Sequence, residues 1–132
     1  IAEAYIWFFW SMNSSATYAF YGSLRRGMAN YKIYESSLEY IKTVRLSGFR
    51  LYSLPNYPFA VRSMDDKDVI VAELFKVTDK QAEQRIHALE LSVGYYYDEV
   101  LVEGRSAGIY LYKSAGNHPP VEHGDWVHFF GA

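Results

Sequence analysis

The stretch from Thr17 to Gly27 limits what this chain can fold into more than any other, because an apolar run stops there in a turn. Residues 17–21 are β-branched or aromatic apart from one alanine, which is typical of a buried strand. Gly22 and Gly27 flank the turn and give its backbone conformational freedom. A strand that ends this way presents backbone N–H groups at the edge of a core, where they can hold a carboxylate or a developing oxyanion. Ordinary Gly-Ser turn chemistry at a strand end explains the same pattern.

The rest of the chain combines strand patterns with one clear helix. The apolar start of residues 69–77 predicts the strongest strand, in a central position of a sheet. A helix should follow at once, because Thr78 and Gln81 have the spacing of a capping box. We expect this helix to reach about Glu90, before Gly94.

The same rules predict the remaining elements. They are a short helix in residues 28–40 with Asn30 as its cap, and strands over residues 41–54 with a bend at Gly48, 59–62, 95–102, 109–112 and 126–130. This order predicts an α+β domain whose sheet curls toward a small mixed β-barrel with few helices.

Length and composition favour one domain. The chain has 132 residues, half of them hydrophobic, which suffices for a single core. We expect that domain to span residues 12–132. Residues 1–11 are apolar but too short to cross a bilayer, and they lack the basic start of a signal peptide. They are either an added or upstream extension, or a strand that covers a sheet edge or a partner surface.

Several classes of function find no support in the sequence. The net charge of −2 and the lack of a basic stripe argue against nucleic acid as a partner. The absence of cysteine excludes disulfides and thiolate catalysis, and it fits a cytoplasmic protein. His118, His123 and His128 do not have the spacing of a metal-ligand pair. The turn at residues 22–27 lacks the Gly-Lys-Ser/Thr ending of a phosphate-binding loop.

Glu90 is the candidate acid or base. At about 100° per residue, Ala82, Ile86 and Leu89 fall on one helix face with Glu90 at its edge. A carboxylate there can reach a cavity under the helix end, and the tyrosines at 95–97 can wall it off. Partial burial would raise its pKa toward the range useful for proton transfer. The alternative is a solvated glutamate at a helix C-terminus, where negative charge is slightly unfavourable. His87, near the helix end, is expected at the surface.

The segment Tyr21-Gly-Ser-Leu-Arg-Arg-Gly-Met-Ala-Asn30 closely resembles the opening motif of the γ-glutamylcyclotransferase-like family, which includes γ-glutamylamine cyclotransferases and AIG2-like proteins. The resemblance continues through Gly48–Tyr52, Tyr57-Pro58, Ala88–Glu90, Tyr96 and Gly124–Trp126. It implies a small mixed barrel with the substrate cavity at one mouth. It also implies an enzyme that releases 5-oxoproline and an amine from a γ-glutamyl compound, most like the γ-glutamylamine branch.

The resemblance assigns roles to individual residues. In the family reaction the α-amino group of the substrate attacks its own γ-carbonyl, so neither a cofactor nor a metal is needed, and effective molarity is high. Glu90 matches the family's catalytic glutamate and would act as acid and base in turn. The remaining matches are a backbone cradle at Tyr21, Gly22, Ser23 and Leu24, a pocket wall or hydrogen-bond partner at Tyr96, and second-tier site residues at Arg25 and Asn30, with Arg26 more simply a solvated loop residue.

Two departures from the family's sequence pattern leave an alternative function open. Asp98 stands where the family frequently has arginine, and residues 91–93 replace a small or proline-containing turn. A non-catalytic small-ligand or protein-binding domain on the same fold is therefore the second reading, and a structural partner domain that uses the aromatic N-terminal segment is a third. The expected partner is a small γ-glutamyl substrate, with no membrane and with a monomer or homodimer as the assembly.

Overall fold

A computed structural model describes residues 13–131, which form seven strands and three helices. In chain order the elements are β1 (Thr17–Phe20), α1 (Ala29–Tyr34), β2 (Leu38–Ser47), β3 (Phe49–Ser53), β4 (Pro58–Arg62), β5 (Val69–Val77), α2 (Lys80–Ser92), β6 (Tyr96–Val102), β7 (Arg105–Leu111) and α3 (Trp126–Gly131). The expectations for residues 1–11 lie outside the described residues. Within 13–131, no helix has both the length and the apolar character needed to cross a membrane.

A mixed five-stranded sheet organises the domain, in the order β2-β5-β1-β7-β6. β1 runs antiparallel to β5 and parallel to β7, while β3 and β4 form a separate antiparallel pair. β5 is paired on both sides, as its apolar start predicts. The predicted α+β class is confirmed.

The predicted barrel is not confirmed, because the sheet is open, with β2 and β6 as its two edges. The Lys42 ammonium at β2 lies 2.8 Å from the Glu103 carboxylate, just after β6. These exposed side chains, rather than a ladder of backbone hydrogen bonds, connect the two edges.

β1 is buried along its whole length, which is why its residues alternate so little in polarity. The Phe20 ring lies 5.9 Å from that of Phe75 on β5, and the Tyr18 ring stacks on that of Tyr110 on β7. This aromatic core holds the end of β1 in a fixed place. The turn that follows is therefore built on the most rigid part of the sheet.

Three local predictions are corrected. The N-cap of α2 is Asp79 and not Thr78, since the Asp79 carboxylate accepts a hydrogen bond from the Gln81 N–H at 3.0 Å. Residues 126–131 form a helix and not a strand, because Asp125 accepts N–H bonds from residues 128 and 129. Residues 41–54 belong to two strands in different sheets, separated at Gly48 with φ of +84°.

Candidate active site

A cavity of about 210 Å³ opens where β1 ends, between the loop before β4 and the C-terminal end of α2. Its walls combine the predicted turn with aromatic side chains from three parts of the chain. The lining residues are Ala19–Leu24, Ala29, Asn30, Asn56–Pro58, Leu89, Glu90, Val93, Tyr95 and Tyr110.

The turn after β1 forms one wall. The Arg25 N–H donates to the Gly22 carbonyl, and the Tyr31 N–H donates to the Ser23 carbonyl. The Asn30 side-chain amide donates to Ser23 Oγ at 2.8 Å, so Asn30 fastens the turn from within α1 instead of capping that helix. These bonds use the carbonyls of the turn. Within residues 13–131, the N–H groups of Gly22, Ser23 and Leu24 have no hydrogen-bond acceptor.

Gly22 is required by close packing. A Cβ atom at this position would lie 2.9 Å from Pro58 Cγ and 3.0 Å from Pro58 Cδ. A proline ring has little freedom to move away, so a larger residue would displace the start of β4. The turn and the start of β4 thus fix the width of the cavity.

Tyr21 contributes its backbone to the cavity and its side chain to the scaffold. The Tyr21 hydroxyl donates to the Tyr110 carbonyl at 2.5 Å and accepts from the Ala60 N–H at 3.0 Å. It therefore links β1 to β7 and β4. The Tyr95 hydroxyl similarly donates to the Pro58 carbonyl. Both phenols are buried, which raises their pKa values above the ordinary range.

Glu90 faces the turn from the last turn of α2. Its carbonyl accepts the N–H groups of Val93 and Tyr95, which ends the helix and holds Glu90 in position. Among the described residues its carboxylate has no hydrogen bond or ion pair, although it is largely shielded from solvent. Burial raises the pKa of Glu90 from 4.5 to about 7. A carboxyl group with this pKa can both accept and donate a proton near neutral pH.

Two predicted site residues lie outside the cavity. The Arg25 guanidinium is buried in ion pairs with Glu73 at 2.9 Å and Asp125 at 2.7 Å, so its charge is used within the scaffold. The Tyr96 side chain does not line the cavity, whereas that of Tyr95 does. Successive residues at the start of β6 point to opposite sides, and the one next to Glu90 is Tyr95.

The expected surface position of His87 is also corrected, because its ring is buried and its Nδ1 lies 3.0 Å from the Tyr110 hydroxyl oxygen.

Sequence reasoning missed Asn56, Tyr57 and Tyr110 as lining residues, and it named Tyr95 only as one of the tyrosines at 95–97 that can wall off Glu90. Tyr95 adjoins the predicted Tyr96, and the alternation of a strand could have pointed to it. Tyr110 had no local signal, since it reaches the cavity only through the parallel pairing of β7 with β1. In the described part of the chain, no group of three or more His, Cys, Asp or Glu side chains is placed to hold a metal ion.

Several proteins share this fold. The uncharacterized protein PH0828 from Pyrococcus horikoshii is 25% identical with a TM-score of 0.75, over 88% of this chain and 93% of that one. YtfP from Escherichia coli is 24% identical with a TM-score of 0.67, over 84% and 96%. The uncharacterized protein loc79017 from Homo sapiens is 19% identical with a TM-score of 0.58, over 80% and 71%. No curated protein matches this chain.

A family model gives the more specific result. The model described as gamma-glutamyl cyclotransferase, AIG2-like, matches residues 18–128, which include the turn after β1, Glu90 and every residue that lines the cavity. The family suggests a cyclotransferase-type enzyme. On the match over this range, the chain belongs to the gamma-glutamyl cyclotransferase, AIG2-like family.

Proposed function

We propose that the protein is a γ-glutamyl cyclotransferase that releases 5-oxoproline and an amine from a γ-glutamyl compound, with γ-glutamylamines as the favoured substrates. One observation carries the proposal: the Glu90 carboxylate and the N–H groups of Gly22, Ser23 and Leu24, which have no partner within residues 13–131, line the same cavity. A base and a set of oxyanion donors are what an intramolecular acyl transfer requires.

In the proposed reaction the substrate supplies its own nucleophile. Glu90 removes a proton from the α-ammonium group, and the resulting amine attacks the γ-carbonyl carbon to close a five-membered ring. The N–H groups of the turn stabilise the negative charge that develops on the carbonyl oxygen. Glu90, now protonated, gives a proton to the leaving nitrogen as the C–N bond breaks. The second proton that the ring nitrogen loses also passes to the leaving nitrogen, which departs as an ammonium group. The cavity holds the substrate folded, and this supplies the high effective molarity of an intramolecular attack.

The charges of the lining residues support an amine as the leaving group. No lysine or arginine is among the described residues that line the cavity, and Arg25 is occupied by Glu73 and Asp125. A leaving group with its own carboxylate, as in a γ-glutamyl dipeptide, would have no cationic partner there. A leaving group without a carboxylate needs no cationic partner in the cavity.

The test is mass-spectrometric detection of 5-oxoproline after incubation of the purified protein with γ-glutamyl amines, γ-glutamyl dipeptides and glutathione. We expect release from the amines and a fall of about 10²–10⁴-fold in Glu90→Gln, the range that acid–base catalysis contributes. Glu122→Gln, at an exposed carboxylate outside the cavity, is the matched control and should keep the wild-type rate. Full turnover by Glu90→Gln would overturn the mechanism.

Asp98, one of the two departures that motivate the alternative of a binding domain, lies away from the cavity. Its carboxylate pairs with Arg62 at 3.1 Å, and both side chains are exposed. This departure therefore brings no different side chain into the cavity, whereas Val93, from the second departure at residues 91–93, lines it. A γ-glutamyl ligand that binds but is never converted would favour the binding domain.

A further inference from the structure

A second shielded carboxylate lies on the same side of α2 as Glu90. Glu83 is 2% exposed and accepts a hydrogen bond from the Tyr18 hydroxyl on β1. The two glutamates are seven residues apart, which is close to two helical turns, so both project from one helix face about 10 Å apart along the axis. His87 lies between them and is also buried. The mechanism above uses neither Glu83 nor His87.

Hydrogen-bonding side chains connect Glu83 with the cavity. Tyr110 lines the cavity, and its hydroxyl oxygen is 3.0 Å from His87 Nδ1. The Tyr110 ring stacks on that of Tyr18, with 6.1 Å between centroids and 3° between planes. Burial raises the pKa of Tyr110, as does the negative charge of Glu90, and a hydrogen bond with Tyr18 partly offsets the rise. Tyr110 thus lies between the cavity that Glu90 lines and Tyr18, whose hydroxyl bonds to Glu83.

The surroundings of Glu83 suit a group that changes its protonation state. It is faced by Tyr18 from β1, Tyr97 from β6 and Tyr110 from β7, with Lys80 on its own helix. Burial raises the pKa of Glu83 to about 7, although the Tyr18 hydrogen bond and the Lys80 charge both oppose the rise. His87 is kept neutral because burial lowers its pKa.

The proposed reaction must move two protons. An α-ammonium group carries three hydrogens on nitrogen and a lactam nitrogen carries one, so the nucleophile loses two protons. The leaving amide nitrogen carries one hydrogen and becomes an ammonium group with three, so it gains two. One carboxylate can hold only one proton at a time.

We propose that Glu83 holds the second proton during the reaction, and that it receives this proton from the cavity through the hydroxyls of Tyr110 and Tyr18. This inference rests on the proposed function. Each hydroxyl accepts a proton on oxygen and passes its own proton to the next group, which leaves Glu83 as a carboxylic acid. The same route returns the proton to the leaving nitrogen, so every group ends in its initial state and no external acid or base is needed.

Glu83→Gln tests the inference, because glutamine keeps an oxygen acceptor for Tyr18 but cannot take up a proton. We expect kcat to fall about 10²-fold near pH 7, the lower end of what a positioned proton-transfer group contributes. At about pH 10 the α-amine of the substrate is neutral and has one proton fewer to transfer, so the loss should shrink to within about twofold. If the substitution only damaged the structure, the loss of kcat would be the same at both pH values.

Tyr18→Phe is the second variant, since it retains the stacked ring and both carboxylates but removes the hydroxyl that bonds to Glu83. It should show the same loss near pH 7 and the same recovery at high pH. Infrared difference spectra provide a measurement without substrate. A C=O band of protonated carboxyl groups should appear as the pH falls through about 7, and in Glu83→Gln this band should be weaker by the contribution of one carboxyl group.

The outcomes separate the two proposals. If wild type releases no 5-oxoproline from any substrate, the proposed function fails and this inference fails with it. If Glu90→Gln is inactive but Glu83→Gln keeps wild-type kcat, or loses activity equally at both pH values, only this inference is overturned. A Glu83 carboxyl group that stays ionised down to pH 5 would also overturn it.

Discussion

Glu73 and Glu90 are both carboxylates withdrawn from solvent, but the protein surrounds them in opposite ways. Glu73 lies on β5 and accepts hydrogen bonds from Arg25 Nε, Arg26 Nε and the Arg26 N–H, at 2.9 to 3.0 Å. Glu90 lies on α2 and has no such partner among the described residues. The first carboxylate is fully compensated, and the second is left with the cost of its own burial.

The difference assigns a task to each carboxylate. The bonds of Glu73 all lead to the segment after Leu24, so they fix the position of the turn whose N–H groups line the cavity. Its charge is used there and is not available for chemistry. Glu90 has no ion pair among the described residues that would offset its burial, and burial raises its pKa to about 7. The charge of Glu73 therefore holds the turn in place, and the charge of Glu90 is left for the proposed reaction.

The largest effect is expected for Glu73→Gln. The substitution removes the buried partner of Arg25 and leaves only the partly exposed Asp125 to balance its charge. Breaking a buried ion pair in this way costs about 3–5 kcal/mol of unfolding free energy. Chemical denaturation at pH 7 measures it. Glu103→Gln is the matched control, because its pair with Lys42 is exposed and should contribute less than about 1 kcal/mol. Equal effects of the two substitutions would remove the contrast between Glu73 and a surface carboxylate.

Glu90→Gln should change stability in the opposite direction. The pKa of Glu90 is about 7 in the folded protein and near 4.5 when unfolded, so the folded state binds its proton more tightly. The stability that this proton provides is present below pH 4.5, declines as the pH rises through about 7, and is absent above it. Removing the charge should therefore stabilise the protein by about 1–3 kcal/mol at pH 8, and the gain should disappear toward pH 5.

Thermal unfolding at the two pH values measures this gain. A variant that is inactive but more stable at pH 8 would separate reactivity from stability at one residue. A Glu90→Gln protein that is less stable than wild type at pH 8 would mean that the carboxylate has a stabilising partner.

The pH dependence of turnover sharpens the same comparison. If Glu90 must be ionised to accept the ammonium proton, kcat/KM should fall about tenfold per pH unit below its pKa of about 7, which is about 1.4 kcal/mol per unit. An activity profile that is flat from pH 5 to 8 would contradict the role of Glu90.

The sequence predicts the part of the site that local patterns determine. The strand before Gly22, the turn itself and the helix that carries Glu90 all follow from apolar periodicity and turn chemistry, and resemblance selects Glu90 among the acidic residues. The position of Arg25 could not be predicted, because its partners Glu73 and Asp125 are 48 and 100 residues away in the chain. Only the pairing of β1 with β5 brings Arg25 and Glu73 together.

The two wrong predictions, a strand at residues 126–130 and a closed barrel, also arise from contacts between distant parts of the chain. Residues 126–130 look like a strand because they are aromatic and β-branched, but Asp125 begins a helix there and buries Trp126 against the domain. The open sheet could not be foreseen either, since closure depends on whether β2 and β6 meet. Tertiary contacts override local propensity at each of these places.

Arg26→Gln should have the smallest effect of the series, and Arg25→Gln is its counterpart. Both guanidinium groups bond to Glu73, but the Arg26 side chain is 48% exposed and that of Arg25 is 7% exposed. The Arg26 N–H bond to Glu73 survives the substitution, and what is lost is a solvent-screened pair and a guanidinium 3.6 Å above the Tyr40 ring. Each of these contributes less than about 1 kcal/mol.

Denaturation of Arg26→Gln and Arg25→Gln side by side measures that difference. We expect a loss of several kcal/mol for Arg25→Gln, because Glu73 then keeps only its bonds to Arg26 and Asp125 loses its partner. Burial, and not the number of ion pairs, then decides how strongly the turn is held. If the two substitutions lower the unfolding free energy equally, the exposed ion pair of Glu73 with Arg26 would contribute as much as its buried ion pair with Arg25. The stability of the turn would then not depend on how exposed each ion pair is to solvent.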